Sequence, residues 1–187
     1  MDTITTENSG KMNPLKFTLW VAIGSICMMF AALTSAYIVK KNQGNFLEFD
    51  FPVLFTISTV VILTSSLTMY LAYKAFKEQQ LSKYKTLVTA TLLLGVAFII
   101  LQILGFKELG LNHIALVGNM SNPSASFFLV IVGLHIVHIV GGLLFLLIRV
   151  FKNAEKETLN SIEMLSTYWH FVDLLWIYLF IFLHIIR

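Results

Sequence analysis

Charged residues are scarce in this chain, and cysteine and proline are almost absent. Of its 187 residues only 12% are Asp, Glu, Lys or Arg and 57% are hydrophobic, whereas a soluble globular domain has about 25% charged and about 45–50% apolar residues. This composition excludes a soluble globular domain. The single cysteine, Cys27, excludes an internal disulfide framework and a cysteine-rich metal site. The net charge of +3 comes from Lys and Arg residues that form no basic stripe, so we expect no nucleic-acid partner.

Long uncharged runs dominate the chain instead. Five runs of more than twenty residues contain almost no Lys, Arg, Asp or Glu: residues 17–39, 51–73, 86–106, 124–148 and 166–186. Each is long enough to cross a hydrocarbon core of about 30 Å as a helix that rises about 1.5 Å per residue. Strands of a membrane β-barrel would instead alternate apolar and polar residues over about ten residues. The sequence therefore predicts an all-α polytopic membrane protein, with a single membrane domain over residues 1–187 and a bundle of five transmembrane helices.

The basic residues predict which end of the bundle faces the cytoplasm, because positive charge is retained on cytoplasmic connections. Nine basic residues fall on the N-terminal side: Lys11, Lys16, Lys74, Lys77, Lys83, Lys85, Arg149, Lys152 and Lys156. Four fall on the opposite side: Lys40, Lys41, Lys107 and Arg187. The N-terminus is therefore expected in the cytoplasm and the C-terminus outside.

Asp173 is the only acidic residue within the five runs. Seven residues past Ser166, it lies roughly 10 Å from the cytoplasmic edge of its helix. An ionisable group at this depth is costly unless it is paired, which makes it a functional-site hypothesis. The alternative is a structural carboxylate that hydrogen-bonds across a helix interface. Arg149 is one candidate partner, because its long side chain can snorkel around the same boundary.

Two histidines, His135 and His138, lie three residues apart on one face of the fourth helix, as haem ligands in a membrane cytochrome can. Bis-histidine ligation requires a second histidine at matching depth on a facing helix. His138 lies roughly 15 Å from the cytoplasmic edge, His170 roughly 6 Å from it and His184 near the outer edge. No pair matches, so the depths disfavour a haem site. His113 falls in an outer connection, where we expect it to be solvated.

The depths of His138 and Asp173 differ by about one helical turn, and a short connection joins their helices. We therefore expect a hydrogen bond between them, in which the imidazole stabilises the carboxylate or shares its proton. Trp169 and Trp176 share the helix face of Asp173, so a lipid or a partner helix could pack there; interfacial anchoring of the aromatic residues is the alternative.

The sequence predicts no catalytic residue and no metal site in this chain. It has no glycine-rich phosphate loop and no nucleophile with a positioned base. It also has no cluster of cysteine and histidine residues with the spacing of a metal site.

The fifth run contains a longer pattern. Residues 168–176 read YWHFVDLLW, which resembles the YWHFVD…W signature of cytochrome c oxidase subunit III, in the haem-copper oxidase subunit III family. Residues 126–128 (SFF) and 133–142 (GLHIVHIVGG) resemble the family's SFF…GHxxHVxGG stretch. Weaker likeness extends to residues 30–38 and 63–66, so the resemblance covers nearly the whole chain.

The resemblance implies the short bacterial form of the family, which has five helices and lacks two N-terminal helices of the seven-helix form. The family's orientation agrees with the count of basic residues. Two departures matter: Ser25-Ile26 stands where many members have a glutamate after the serine, and Gly105-Phe106 follows Gln102 where many have Glu-Tyr. These departures leave Asp173 as the sole intramembrane acid.

The resemblance further implies a noncatalytic accessory subunit in the bacterial inner membrane that holds no haem or copper. In the family, subunits I and II carry these groups, and subunit III packs against subunit I, binds phospholipids in a cleft and supports proton uptake. Carried over by position, the residues that would support lipid or proton uptake are Tyr168, Trp169, His170 and Asp173, with Arg149 at the same boundary.

Several alternatives remain open at this stage. The same fold serves in quinol oxidases and beside nitric oxide reductases, and the electron-donor site lies on other subunits. An independent di-haem cytochrome would require matched histidines. A small transporter built around Asp173 would usually show inverted repeats or helices broken by glycine and proline, whereas Pro14, Pro52 and Pro123 lie at the edges of the runs.

Overall fold

The computed structural model describes residues 14–41, 52–111, 123–152, 154 and 157–186. Of the residues considered above, Lys11, His113, Lys156 and Arg187 lie outside the described residues. Five α-helices follow one another along the chain: α1 (Pro14–Lys41), α2 (Val53–Lys77), α3 (Leu81–Leu111), α4 (Pro123–Phe151) and α5 (Leu159–Ile186). All five are long and apolar enough to cross a membrane, and the described part of the chain contains no strand. The predicted all-α bundle of five membrane-spanning helices is confirmed.

The helices are longer than the uncharged runs that predicted them. They contain 25 to 31 residues each, and α3 extends from residue 81 to residue 111 around the run 86–106. A helix can continue beyond the apolar core because its polar ends remain in the headgroup region. Core and headgroups together span about 40–45 Å, which about 28 residues of helix cross at about 1.5 Å each.

Contacts between α1 and α5 define the two ends of the bundle. At the first end, Lys16 Nζ lies 2.8 Å from Glu163 Oε2, near the start of both helices. At the second, Lys41 Nζ donates a hydrogen bond to the Ile186 carbonyl oxygen, where both helices finish. The two helices therefore run parallel. We call these ends the Lys16 end and the Lys41 end.

The connection between α2 and α3 is a tight turn at the Lys16 end. Gln79 has a φ of 60°, the only positive value for a non-glycine residue in the described chain. The backbone N–H of Gln80 bonds the Ala75 carbonyl at 2.9 Å and so satisfies one of the last carbonyls of α2. This turn holds the two helices side by side over their whole length.

The centre of the bundle is formed by α2, α3, α4 and α5, and α1 packs at its edge against α4 and α5. Trp169 is fully buried between α3 and α4. A Cβ on Gly95 of α3 would lie 2.9 Å from the Trp169 ring, and one on Gly142 of α4 would lie 3.0 Å from it. Both positions therefore require glycine for the helices to approach the indole ring this closely.

Candidate functional site

Asp173 lies inside the bundle, on the face of α5 that packs against α2. It is 2% exposed, and neither carboxylate oxygen has a hydrogen-bond partner among the described residues. The Ser66 hydroxyl of α2 lies beside the carboxyl group. The same hydroxyl makes a 2.7 Å hydrogen bond with His170 Nδ1. Ser66 of α2 thus lies between the carboxyl group of Asp173 and the imidazole ring of His170.

Hydrogen bonds join the signature residues of α5 to α2. Trp169 Nε1 donates to Ser65 Oγ at 3.0 Å, and Trp176 Nε1 donates to Thr59 Oγ1 at 3.0 Å. Together with the contact between His170 and Ser66, these bonds form a seam of polar groups along one side of α5. Within a membrane such interhelical bonds contribute about 0.6 kcal/mol each on average. The seam therefore holds this side of α5 against α2, and this side of the helix does not face lipid.

The structure does not form the expected hydrogen bond between His138 and Asp173. His138 Nδ1 lies 2.7 Å from the Leu134 carbonyl oxygen of its own helix, so it is the nitrogen that carries the proton. Its ring packs edge-on against Phe30 of α1, with centroids 5.7 Å apart. His138 thus contacts α1, whereas Asp173 lies against α2. His138 and Asp173 lie at similar depths in the bundle, but depth does not determine which neighbouring helix a side chain faces.

His135 is fully buried among aromatic rings. It stacks on Trp176 with centroids 5.2 Å apart, and the rings of Phe98 and Phe30 meet it edge-on at 6.1 and 6.4 Å. Neither ring nitrogen has a hydrogen-bond partner among the described residues. Within the same residues, no group of three or more His, Cys, Asp or Glu side chains is placed to hold a metal ion. The surroundings of His135 are therefore those of a packed core.

Arg149 pairs with an acid that the sequence did not single out. Its Nη1 donates to Glu157 Oε2 at 2.5 Å, and Lys152 Nζ lies 3.6 Å from Glu157 Oε1. The Glu157 side chain is fully buried, and that of Arg149 is 17% exposed. Arg149 is therefore engaged by the connection between α4 and α5 and not by Asp173. The signal in the sequence was the alternation of basic and acidic residues from Lys152 to Glu157 in a short connection.

A cleft of about 290 Å³ opens between α1, α4 and α5 at the Lys16 end. Its lining is mostly apolar, with the side chains of Arg149 and Tyr168 as the main polar contributions. Tyr168 Oη donates to the His138 carbonyl oxygen at 3.0 Å, which holds the phenol ring against α4. The cleft is lined by Leu15, Thr18, Leu19, Ala22, Phe145, Arg149, Ser161, Met164, Leu165 and Tyr168.

The five residues expected to support lipid or proton uptake thus divide into two groups. Arg149 and Tyr168 line the cleft. Trp169, His170 and Asp173 lie along the seam with α2. Adjacent positions on a helix point about 100° apart, so Tyr168 and Trp169 serve different interfaces. The sequence analysis missed the partner side chains on α2, although the string LTSS at residues 63–66 contains two of them.

Comparison with known proteins supports one family throughout. The family described as Cytochrome c oxidase subunit III matches residues 9–186. The chain is 34% identical over 173 residues to cytochrome c oxidase subunit 3 of Bacillus sp. strain PS3, covering 86% of this chain and 80% of that protein. It is 30% identical over 198 residues to cytochrome bo(3) ubiquinol oxidase subunit 3 of Buchnera aphidicola subsp. Acyrthosiphon pisum, covering 98% and 95%. Quinol oxidase subunit 3 of Bacillus subtilis strain 168 is 30% identical over 187 residues, covering 93% and 87%.

These matches confirm the resemblance carried by residues 126–142 and 168–176. The similar proteins are third subunits of oxidases, which implies that this chain works in a complex with other oxidase subunits. With five membrane-spanning helices, it is a multi-pass membrane protein of the respiratory chain. The chain belongs to the cytochrome c oxidase subunit III family, the third subunits of haem-copper oxidases.

Proposed function

We propose that this chain is a noncatalytic subunit that supports subunit I of a cytochrome c oxidase by holding a phospholipid in the cleft between α1, α4 and α5. The observation that carries the proposal is the pairing of an apolar cleft with Arg149 and Tyr168. An acyl chain packs favourably against the apolar lining of the cleft. A guanidinium group suits a phosphate because its planar donors match the phosphate oxygens, and Arg149 has further N–H donors besides the one that bonds Glu157.

The haems and copper of the oxidase belong to the partner subunits I and II in this proposal. Supporting it, His135 is enclosed by the aromatic rings of Trp176, Phe98 and Phe30. The ring of His138 packs against Phe30 of α1. The contribution of this chain is then packing and lipid retention.

We assign the Lys16 end to the cytoplasm of a bacterial inner membrane. Among the described residues the Lys16 end has seven basic residues and the Lys41 end has three. Lysine and arginine are retained on the cytoplasmic side of membrane proteins, which supports this orientation. The seven are Lys16, Lys74, Lys77, Lys83, Lys85, Arg149 and Lys152, and the three are Lys40, Lys41 and Lys107.

Asp173 supports proton uptake at the cytoplasmic side of the complex in this proposal. The carboxyl group of Asp173 is buried in the bundle, 2% exposed, with the Ser66 hydroxyl beside it. Ionisable residues within membrane-spanning helices mark functional positions. His170 and Ser66 lie on the same seam and place polar atoms near the carboxyl group.

Cytochrome c is the proposed electron donor, with quinol as the alternative. Similar proteins include third subunits of both kinds of oxidase. The donor site lies on other subunits, so a copper-binding subunit II in the same complex would identify cytochrome c.

The test is to purify this chain with a C-terminal tag from detergent-solubilised native membranes. Reduced-minus-oxidised spectra and mass spectrometry then identify what accompanies it. We expect a large haem-copper subunit, oxidase activity and bound phospholipid. Arg149→Gln should reduce the bound phospholipid more than Glu157→Gln, which breaks the same ion pair but keeps the guanidinium group. Lys85→Gln at the same end should leave the bound phospholipid unchanged. A colourless chain that purifies alone would contradict the oxidase assignment.

A further inference from the structure

One wall of the cleft is formed by a single segment of α1, residues 14–23, which we call the flap. All four α1 side chains that line the cleft belong to the flap: Leu15, Thr18, Leu19 and Ala22. Ile23, at its last position, is the only flap residue that is buried. On its outer face Trp20 is 61% exposed. The flap therefore covers the cleft while packing little against the rest of the bundle.

The remainder of α1 is held much more firmly. Phe30 and Tyr37 are almost completely buried, at 1% and 3% exposure. The hydroxyl groups of Thr34 and Tyr178 form a 3.1 Å hydrogen bond between α1 and α5. At the end of the helix Lys41 donates to a carbonyl oxygen of α5. Movement of α1 is thus restricted at the Lys41 end and permitted at the Lys16 end.

Gly24 and Ser25 separate the flap from the firmly held part of α1. Glycine weakens a helix interior because it has the most backbone freedom. The Ser25 hydroxyl bonds the Val21 carbonyl oxygen at 2.9 Å, an arrangement that often bends helices. Kinks in helices recur at such glycine and serine pairs. A Cβ on Gly24 would find no atom within 4 Å, so there is open space beside this point.

An ion pair joins the flap to α5 at the mouth of the cleft. Lys16 and Glu163 are neighbours in sequence of the lining residues Leu15 and Met164, and their charged atoms are 2.8 Å apart. The side chains are 36% and 43% exposed. Exposed ion pairs are weak and are screened by salt. This pair therefore suits a contact that breaks and re-forms.

We propose that the flap opens about Gly24 and Ser25 when the pair between Lys16 and Glu163 breaks, and that this movement admits a phospholipid acyl chain to the cleft. The proposal rests on the lipid-binding function proposed above and adds the route of entry and the pair that controls it. The pair then sets the rate at which bound lipid exchanges, because it holds the flap closed. The fraction of complexes that hold a lipid in the cleft at equilibrium is set by the residues that line the cleft.

The test measures lipid exchange in the purified oxidase complex that contains this chain. The complex is mixed with vesicles of equal parts chain-deuterated phosphatidylglycerol and phosphatidylethanolamine, and the deuterated lipid carried by the complex is followed by mass spectrometry. A variant with Ala22→Phe fills the cleft and provides the background from lipid bound elsewhere on the surface. The difference between the two complexes is the lipid held in the cleft.

Lys16→Gln and Glu163→Gln should each speed exchange by about two- to fivefold, which is the range expected for an exposed ion pair. The exchanged pair K16E/E163K should restore the original rate. Gly24→Ala should slow exchange by about two- to fivefold, because alanine stiffens the helix and meets no neighbouring atom. Higher salt should speed exchange in the original complex and leave the Lys16→Gln complex unchanged.

Lys74→Gln is the matched control, because Lys74 forms a 4.0 Å pair with Glu78 between two exposed side chains at the end of α2, away from the cleft. If the original complex and the Lys16, Glu163 and Gly24 variants all hold lipid in the cleft and exchange it at equal rates, the proposed opening of the flap is wrong. The proposed lipid site is then unaffected. No difference in lipid content between the original and Ala22→Phe complexes would overturn both. In neither case is the assignment to an oxidase affected, since the complex itself is what is purified.

Discussion

Trp169 and Ser65 are joined by a hydrogen bond in which the indole Nε1 donates to the serine Oγ at 3.0 Å. Both residues are fully buried, and the bond links α5 to α2. Because an indole has only one N–H, Ser65 fixes the orientation of the whole ring. The six-membered part of that ring in turn lies against Gly95 of α3 and Gly142 of α4. One hydrogen bond thus aligns four helices.

Ser65→Ala should destabilise the chain by about 1–2 kcal/mol, because it leaves a buried indole N–H without an acceptor. The measurement is the midpoint of thermal dissociation of this chain from the purified oxidase. Thr64→Ala is the control, since the exposed Thr64 hydroxyl bonds the Val60 carbonyl of its own helix. Equal midpoints for the two variants would show that the bond to Trp169 contributes nothing.

Gly95→Ala should destabilise the chain by about 1–3 kcal/mol through overpacking. The new methyl group would lie 2.7 Å from Leu143 Cδ2 and 2.9 Å from the Trp169 ring, which Ser65 holds in place. Gly133→Ala on α4 is the matched control, because a Cβ there meets no atom within 4 Å. The same dissociation midpoint serves as readout, and a larger loss for Gly133→Ala would contradict the packing described.

Glu157→Gln should destabilise the connection between α4 and α5 by about 1–3 kcal/mol, since it removes the charge that compensates Arg149. The effect is larger than at the surface because the Glu157 side chain is fully buried. Limited proteolysis of the connection should become faster. In contrast, Glu78→Gln removes an exposed partner 4.0 Å from Lys74 and should change little. Similar cleavage rates in the two variants would argue against a stabilising pair at Glu157.

Asp173→Asn should preserve assembly, because the amide has nearly the shape of the carboxyl group and its oxygen can still accept from the Ser66 hydroxyl beside it. If Asp173 supports proton uptake, the assembled oxidase should turn over more slowly or inactivate after fewer turnovers. Oxygen consumption followed over time measures both. Glu108→Gln makes the same chemical change at an exposed position of α3 near the Lys41 end and should have no effect. Identical kinetics for Asp173→Asn and the unaltered oxidase would remove Asp173 from proton uptake.

The number of helices and their type followed from the sequence because a bilayer imposes a single requirement. Each crossing must be long and free of charge, and this is visible without knowing any neighbour. The ends of the helices were less well predicted. Lys40 and Lys41 interrupt the apolar run, yet both still belong to α1 because charged side chains are tolerated in the headgroup region.

The candidate site was only partly predictable, since it depends on which helix each side chain faces. The sequence indicated Tyr168, Trp169 and Asp173 as a group, but rotation around α5 divides them between the cleft and the seam. Pairings such as Lys16 with Glu163 join residues 147 positions apart. Nothing in a single sequence specifies such a pair, because it depends on how α1 packs against α5.

The contact of Gly95 and Gly142 with Trp169 has a consequence for how related sequences diverge. A smaller side chain at position 169 would leave a cavity that only larger residues at 95 and 142 could fill. A larger residue at either glycine position is tolerated only once the indole is gone. The three positions should therefore change together during evolution, while neighbouring exposed positions such as Leu93 and Leu144 vary independently.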